Sequence, residues 1–159
     1  MSNVRKLAFS GLVIGIYVVI MYLTQGFAFG QYQIRIATGL YALAYHFPFL
    51  VIPLGLANLI SNTIMGGLGI FDIIGGSLVG IITSGAIVLL KKVTNKKIII
   101  LLPIGIVPSV LVPLWLSFLI HVPYILLVIS IGVGQFISAY TLGLFIMNFR
   151  FLVNKWQDK

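Results

Sequence analysis

Long uncharged apolar segments follow one another along most of this 159-residue sequence. Hydrophobic residues make up 60% of it and charged residues only 8%, whereas about a quarter of the residues in a soluble domain are charged. A bilayer core about 30 Å thick requires roughly 20 apolar helical residues to cross it. The sequence therefore predicts an all-α integral membrane protein, with residues 1–159 forming a single transmembrane domain.

Breaks rich in glycine, proline and polar residues divide the apolar sequence into six predicted spans. Their limits, each uncertain by a few residues, are 7–24, 34–45, 49–65, 72–90, 98–120 and 124–149. The second is short because Pro48 disfavours helix in the residue before it. Residues 25–32 are predicted to form a loop that serves as a lid. Prolines at positions 103, 108 and 113 are expected to interrupt the fifth helix.

Positive charge lies on one side of this predicted topology. Nine of the ten Lys and Arg residues fall in the N-terminal stretch, the 91–97 loop and the C-terminal tail. Six spans bring these regions to one face, and cytoplasmic loops carry an excess of Lys and Arg. Both termini are therefore predicted to be cytoplasmic in a multi-pass protein of the cell membrane. The net charge of +8 then indicates orientation rather than nucleic-acid binding.

Four polar side chains, Arg35, Asn58, Asn62 and Asp72, fall in one stretch, residues 33–72, of a chain with very few of them. In lipid such groups are costly and are kept for function or paired, so this stretch is predicted to hold the working site, near the outer face. The candidate substrate-binding residues are Gln33, Arg35, Thr38, Asn58, Asn62, Asp72 and Gln135. Amides offer a donor and an acceptor, and a carboxylate accepts two N–H groups, which suits the edge of a flat heterocycle.

Structural roles compete with these assignments. Asp72 is placed to cap the fourth helix, and Arg35 to pair with it or to extend toward the outer headgroups. The two asparagines share a helical face and are also suited to bonding neighbouring helices. Tyr41 is interpreted as a packing residue. Trp115 suits either stacking on a flat base or an interfacial belt.

Enzymatic chemistry is not expected. The two carboxylates, Asp72 and Asp158, cannot share acid and base roles, because the second lies in the tail. His46 and His121 fall on opposite faces of the predicted topology, so no metal cluster is expected between them. The glycines at 66, 67 and 69 lack the following lysine of a phosphate loop. We therefore predict a protein that is not an enzyme and has no cofactor of its own.

Several short motifs spread over most of the chain carry a resemblance to a known family. They are Tyr32-Gln33-Ile34-Arg35-Ile36, Ala57-Asn58, Gly67-Leu68-Gly69-Ile70-Phe71-Asp72, Gly76-Ser77-Leu78, Gly132-Val133-Gly134-Gln135 and Leu142-Gly143-Leu144. In these motifs the chain resembles the QueT family, substrate-binding S components of energy-coupling factor transporters, proposed to import queuosine precursors, which are 7-deazaguanine bases. Thr38 and Gln135 stand where that family usually has glutamate, which leaves a neutral deazaguanine or another flat heterocycle as the expected ligand.

The resemblance implies an S-component-like helical bundle that binds substrate from outside. It docks on a transmembrane coupling subunit attached to two ATPases, and the ATP used by these partners drives release inside. Gly11 and Gly15, with Ala8 nearby, form a small-residue face on the first helix, which either docks on the coupling subunit or packs within the chain. Two other functions stay open: a stand-alone proton-coupled carrier using Asp72, and a membrane subunit that only scaffolds others.

Overall fold

The computed structural model describes residues 1–29, 33–65 and 68–149. Within these residues the chain is helical, with no β-strand, which confirms the predicted all-α class. The α-helices are α1 (Asn3–Leu23), α2 (Gln25–Ala28), α3 (Leu43–His46), α4 (Val51–Ile64), α5 (Ile70–Val93), α6 (Lys97–Leu111), α7 (Pro113–Ile120), α8 (Tyr124–Ser138) and α9 (Leu144–Asn148).

Two tighter turns and one wider turn interrupt the α-helical pattern. A 3₁₀ segment (Ile36–Ala42) precedes α3, a 3₁₀ turn (Pro48–Leu50) precedes α4, and a π-helical turn (Ala139–Gly143) joins α8 to α9. Runs of 3₁₀ helix longer than three or four residues are uncommon, and π-helical turns occur often at functional sites. A side chain at Gly39, in the 3₁₀ segment, would overlap the side chain of Leu142 in the π turn. The two irregular segments therefore pack directly on each other.

Four helical stretches of the described chain are long and apolar enough to cross a membrane. They are Asn3–Leu23, Ile70–Val93, Lys97–Ile120 and Tyr124–Asn148. A further helix, Pro48–Ile64, is apolar but shorter, and the predicted second span consists only of the 3₁₀ segment and α3. The count of six spans and the orientation of the termini therefore stay predictions.

Two local predictions were wrong. The first part of the predicted 25–32 loop is α2, where Phe27 and Ala28 donate their N–H groups to the Thr24 carbonyl. Positions 30–32 lie outside the described residues. Pro103 and Pro108 lie inside α6 rather than breaking it. Neighbouring helices and local adjustments satisfy the freed backbone groups at such prolines in membrane helices.

Helices α4 and α5 approach each other closely at glycines. A side chain at Gly55 would overlap Ile81, and a Cβ at Gly80 would lie only 3.3 Å from the Cα of Gly55. Small residues let helix backbones come together in lipid, where van der Waals packing holds helices to one another. This contact fixes the asparagines of α4 against the aspartate-bearing end of α5.

Lysines gather at the opposite end of the bundle. Asp72 lies in the first turn of α5 and Lys91 in the last turn of this 24-residue helix, which is about 36 Å long at 1.5 Å per residue. The Lys91 ammonium donates to the Tyr45 carbonyl oxygen at 2.7 Å and lies 4.7 Å from the centre of that ring. Lys97 donates to a side-chain oxygen of α9. The polar end near Asp72 and the lysine-bearing end are therefore separated by the length of the bundle.

Candidate functional site

The predicted substrate-binding residues come together at one end of the bundle. Gln33 is half-buried and the other six are buried. They belong to the segment before and within the 3₁₀ helix, to α4, to α5 and to α8. Gln135 joins the two ends of this set: it accepts from Thr38 Oγ1 at 2.8 Å across 97 positions and donates to the Gln33 carbonyl oxygen at 3.4 Å across 102 positions. Tertiary packing therefore collects polar groups that are scattered in the sequence.

A strained backbone position begins this polar cluster. Gln33 has φ of 41°, a left-handed conformation that is uncommon for residues other than glycine and that recurs at functional sites. Its carbonyl oxygen accepts from the Arg35 N–H at 2.8 Å and from Gln135 Nε2 at 3.4 Å. Thr38 Oγ1 also lies 2.7 Å from the Arg35 carbonyl oxygen. Side-chain hydrogen bonds to the Gln33 and Arg35 carbonyl oxygens therefore hold the turn that carries Arg35.

Neutral groups hold the Arg35 guanidinium. Its Nη1 donates to Asn62 Oδ1 at 3.3 Å and its Nε to the Ala28 carbonyl oxygen at 3.4 Å. The guanidinium carbon lies 4.9 Å from the centre of the Phe29 ring, within the range of a cation–π contact. The predicted alternative of an Arg35–Asp72 ion pair was wrong: no such pair within 4.0 Å occurs in the described structure, because Asn62 takes the place of the carboxylate.

Among the described residues, the Asp72 carboxylate also has neutral partners only. Its Oδ1 accepts from Trp115 Nε1 at 3.2 Å and its Oδ2 from the Leu68 N–H at 3.3 Å. The predicted capping role was wrong, because Gly69, with φ of 92°, occupies the N-cap of α5. Asp72 instead lies in the first turn, where the helix dipole favours a negative charge. Asn62 Nδ2 bonds the Asp72 carbonyl oxygen at 2.9 Å and so links the two halves of the site.

A second polar group lies beside this network. Asn58 Nδ2 donates to the Tyr41 hydroxyl at 2.8 Å, and that hydroxyl lies 3.3 Å from the hydroxyl of Tyr17 on α1. Tyr41 packs in the buried core, as predicted, and its hydroxyl also takes part in these hydrogen bonds. Asn58 Oδ1 is buried and has no hydrogen-bond partner in the described structure. Both amides of α4 face Gly76, because a Cβ there would lie 2.5 Å from Asn62 Nδ2 and 3.1 Å from Asn58 Oδ1.

Two neighbouring cavities adjoin these residues. The smaller, about 300 Å³, is lined by Gln33, Arg35 and Asp72 together with Gln25, Gly26, Phe29, Met65, Leu68 and Leu116. The larger, about 750 Å³, is mostly apolar, lies against α7 and α8, and shares Phe29, Gln33, Leu68 and Leu116 with the smaller one. No charged residue of the described chain lines the larger cavity. Small-molecule sites combine an apolar lining with a few placed polar groups, and the smaller cavity has both, so we take it as the candidate site.

The remaining candidates do not line that cavity. Asn62, Thr38 and Gln135 form hydrogen bonds with the wall residues Arg35, Asp72 and Gln33. The Asn58 side chain bonds Tyr41, which does not line the cavity. The apolar part of the cavity wall, which includes Phe29 and Leu116, was not predicted from the sequence. In a sequence that is hydrophobic throughout, an apolar residue that faces a cavity cannot be distinguished from one that faces lipid. The bond from Trp115 to Asp72 was also not expected.

The small-residue face of α1 is uncovered. Ala8, Gly11 and Gly15 are exposed, and a Cβ at either glycine would meet no atom within 4 Å. The alternative of packing within the chain is therefore not what the described structure shows. A partner helix has room to approach α1 here.

Comparison with known proteins identifies a matching family. The model of a family described as QueT transporter matches residues 7–150, which is most of the chain. No curated protein matches, and no solved structure matches.

Proposed function

The chain belongs to the QueT transporter family, and from that premise we propose that it is the substrate-binding S component of an energy-coupling factor importer. The family is one of transport proteins and not of enzymes. The chain captures a small flat heterocycle from outside, a queuosine precursor of the 7-deazaguanine class or a related vitamin-like compound. Partner subunits then drive its delivery to the cytoplasm.

The observation that carries this proposal is a pair of opposite charges on one cavity wall that do not bond each other. Arg35 and Asp72 are 5% and 4% exposed, and both line the 300 Å³ cavity, a volume at the lower end of the range for small-molecule sites. Buried unpaired charges are costly. A ligand that offers a carbonyl acceptor to Arg35 and adjacent N–H donors to Asp72 satisfies both, and a guanine-like edge has this pattern.

The groups beneath the cavity favour a neutral base over a cationic one. Thr38 and Gln135, at the positions where the family usually has glutamate, are neutral and bond each other. Asp72 is then the one carboxylate among the described residues, and it serves to accept donors from the base itself. A base with an added aminomethyl cation gains no second negative partner here.

Orientation and energy supply follow the same proposal. The lysine-bearing end faces the cytoplasm, in accord with the distribution of Lys and Arg in membrane proteins, and the cavity faces outside. Six spans with both termini inside fit this arrangement. The uncovered face of Ala8, Gly11 and Gly15 docks on the transmembrane coupling subunit, since small faces allow close helix contact. Two ATPase subunits bind and hydrolyse the ATP.

Binding to the purified protein tests the substrate class. The full chain in detergent is titrated with 7-deazaguanine and with its 7-aminomethyl derivative by calorimetry. We expect a dissociation constant at or below about 1 μM for the neutral base, and a loss of at least about tenfold in Asp72→Asn because the charged acceptor is removed. Asp158→Asn is the matched control and leaves binding unchanged. If neither of the two bases binds saturably, the proposed substrate class is contradicted.

Uptake into vesicles separates the importer from the two other functions. An S component alone gives no turnover, and the coupling subunit with its ATPases restores ATP-dependent uptake. A stand-alone carrier gives uptake with this chain alone, which an uncoupler dissipates and which Asp72→Asn abolishes. A scaffold subunit gives no saturable binding, and substitutions at Asp72 change assembly instead.

A further inference from the structure

Neutral side chains keep the two charges of the cavity apart. Arg35 is held by Asn62 and by the Phe29 ring, while Asp72 is held by the indole of Trp115 and by one backbone N–H. Both charges line one small cavity, and opposite charges attract strongly where water is largely excluded. An arrangement that keeps them unpaired needs a specific partner for each charge.

Trp115 is fitted closely to its place. Its indole edge lies over Gly75, where an ideal Cβ would be 2.9 Å from Cη2 and 3.0 Å from Cζ2. Any side chain at Gly75 would displace the ring and with it the Nε1–H. Trp115 lies in the first turns of α7, directly after Pro113 begins that helix, and Leu116 beside it lines both cavities. The indole thus bridges α7 to the start of α5.

We propose that Trp115 is a positioning residue of the binding site, whose indole N–H holds the Asp72 carboxylate toward the cavity and away from Arg35. Each carboxylate oxygen accepts one protein N–H and keeps further acceptor capacity for a ligand. Without the indole donor the carboxylate is held at one oxygen only and turns toward the guanidinium. The pairing then consumes both groups on which ligand recognition depends. This inference rests on the proposed function, because it assigns Asp72 to the ligand.

Ligand affinity in a double-mutant cycle tests the inference. Trp115→Phe removes the Nε1–H donor together with the outer ring atoms that lie over Gly75, and we expect it to weaken binding of 7-deazaguanine about tenfold. In the Asp72→Asn background the same change adds little, because Trp115 acts through that carboxylate. Wild-type affinity in Trp115→Phe overturns the inference, and so does a full additional loss in the double variant.

Gly75→Ala provides a second variant in which the indole itself is kept. The added methyl pushes the ring away from Asp72, and we expect a comparable loss of affinity. Gly85→Ala is the matched control on the same helix, since its Cβ would meet no atom closer than 4.0 Å. Equal affinities in the two glycine variants contradict the role of the indole position.

A ligand-free measurement separates failure of this inference from failure of the proposed function. Trp115 and Trp156 are the two tryptophans of the chain, so Trp156→Phe leaves Trp115 as the single emitter. Asp72→Asn in that background moves the emission to shorter wavelength, because a neutral acceptor bonds the indole N–H more weakly than a carboxylate does. An unchanged spectrum overturns the inference whether or not a base binds. A shifted spectrum with no base bound by the wild type contradicts only the proposed substrate.

Discussion

Replacing Gly76 with alanine adds one methyl group at the point where both amides of α4 meet α5. The new Cβ would lie 2.5 Å from Asn62 Nδ2 and 3.1 Å from Asn58 Oδ1, well inside ordinary van der Waals contact. Both amides are buried, and Asn62 also holds the Arg35 guanidinium. An amide that gives way must lengthen a hydrogen bond. We expect lower stability and weaker ligand binding.

The magnitude follows from two opposing contributions. Overpacking a tightly filled site costs about 1–3 kcal/mol, while alanine in place of glycine within a helix stabilises by about 1 kcal/mol. The free energy of unfolding of Gly76→Ala is therefore lowered by about 0–2 kcal/mol. Gly85 lies on the same helix, and the nearest atom to an added Cβ there is 4.0 Å away. Gly85→Ala therefore gains the helix stabilisation without the cost of overpacking. The two variants differ by about 1–3 kcal/mol, since the helix contribution is common to both.

Denaturant unfolding in detergent, followed by circular dichroism, measures this difference, and calorimetric titration of 7-deazaguanine measures the affinity. A hydrogen bond to Arg35 lengthened by the methyl group corresponds to a loss of about tenfold in affinity, or about 1.4 kcal/mol. If Gly76→Ala unfolds at the same denaturant concentration as Gly85→Ala and binds the base as the wild type does, the amides are not packed against Gly76 and the reasoning is refuted.

Three further substitutions test other parts of the structure. Tyr41→Phe removes a hydroxyl bonded by two buried side chains and lowers the free energy of unfolding by about 1–3 kcal/mol, whereas Tyr22→Phe, at a side chain that is 60% exposed, changes it by less than about 0.5 kcal/mol. Gly11→Leu leaves ligand affinity unchanged but prevents co-purification with the coupling subunit, and an intact complex contradicts the docking face. Burial and the nearby charge of Lys91 lower the pKa of His46, so its contribution to stability is complete above its ordinary pKa of about 6.5 and is lost as the pH falls below it. Unfolding at about pH 8 and about pH 5 checks this, and His46→Gln removes the difference.

Hydropathy predicted the helical class and most of the helix positions, because it reports which segments suit lipid. It does not distinguish helix types, so the 3₁₀ segment Ile36–Ala42 and the π turn Ala139–Gly143 were not predicted. Their geometry depends on contacts between distant parts of the chain, such as the one between Gly39 and Leu142. Local sequence carries no information about that contact.

Scarcity of polar groups identified the candidate residues but not their partners. Opposite charge alone would pair Arg35 with Asp72. In the structure Arg35 instead donates to the neutral amide of Asn62, and Asp72 accepts from the neutral indole of Trp115. The same limit applies to the cap of α5, where the backbone conformation of Gly69 decides the outcome. The sequence shows which side chains are polar or charged. Which of the possible partners each one bonds depends on the three-dimensional packing.

Gln135 accepts a hydrogen bond from Thr38 and donates one to the Gln33 carbonyl oxygen, across 97 and 102 positions of the chain. During synthesis the early half of the site enters the bilayer long before α8 has left the ribosome. Until then the turn at Gln33 lacks its hydrogen bond from Gln135. A chain truncated after α7 contains Arg35 and Asp72, the charged residues that line the cavity, but not the Gln135 side chain that supports this turn. In the proposed importer, ligand binding therefore requires the last helices to be in place.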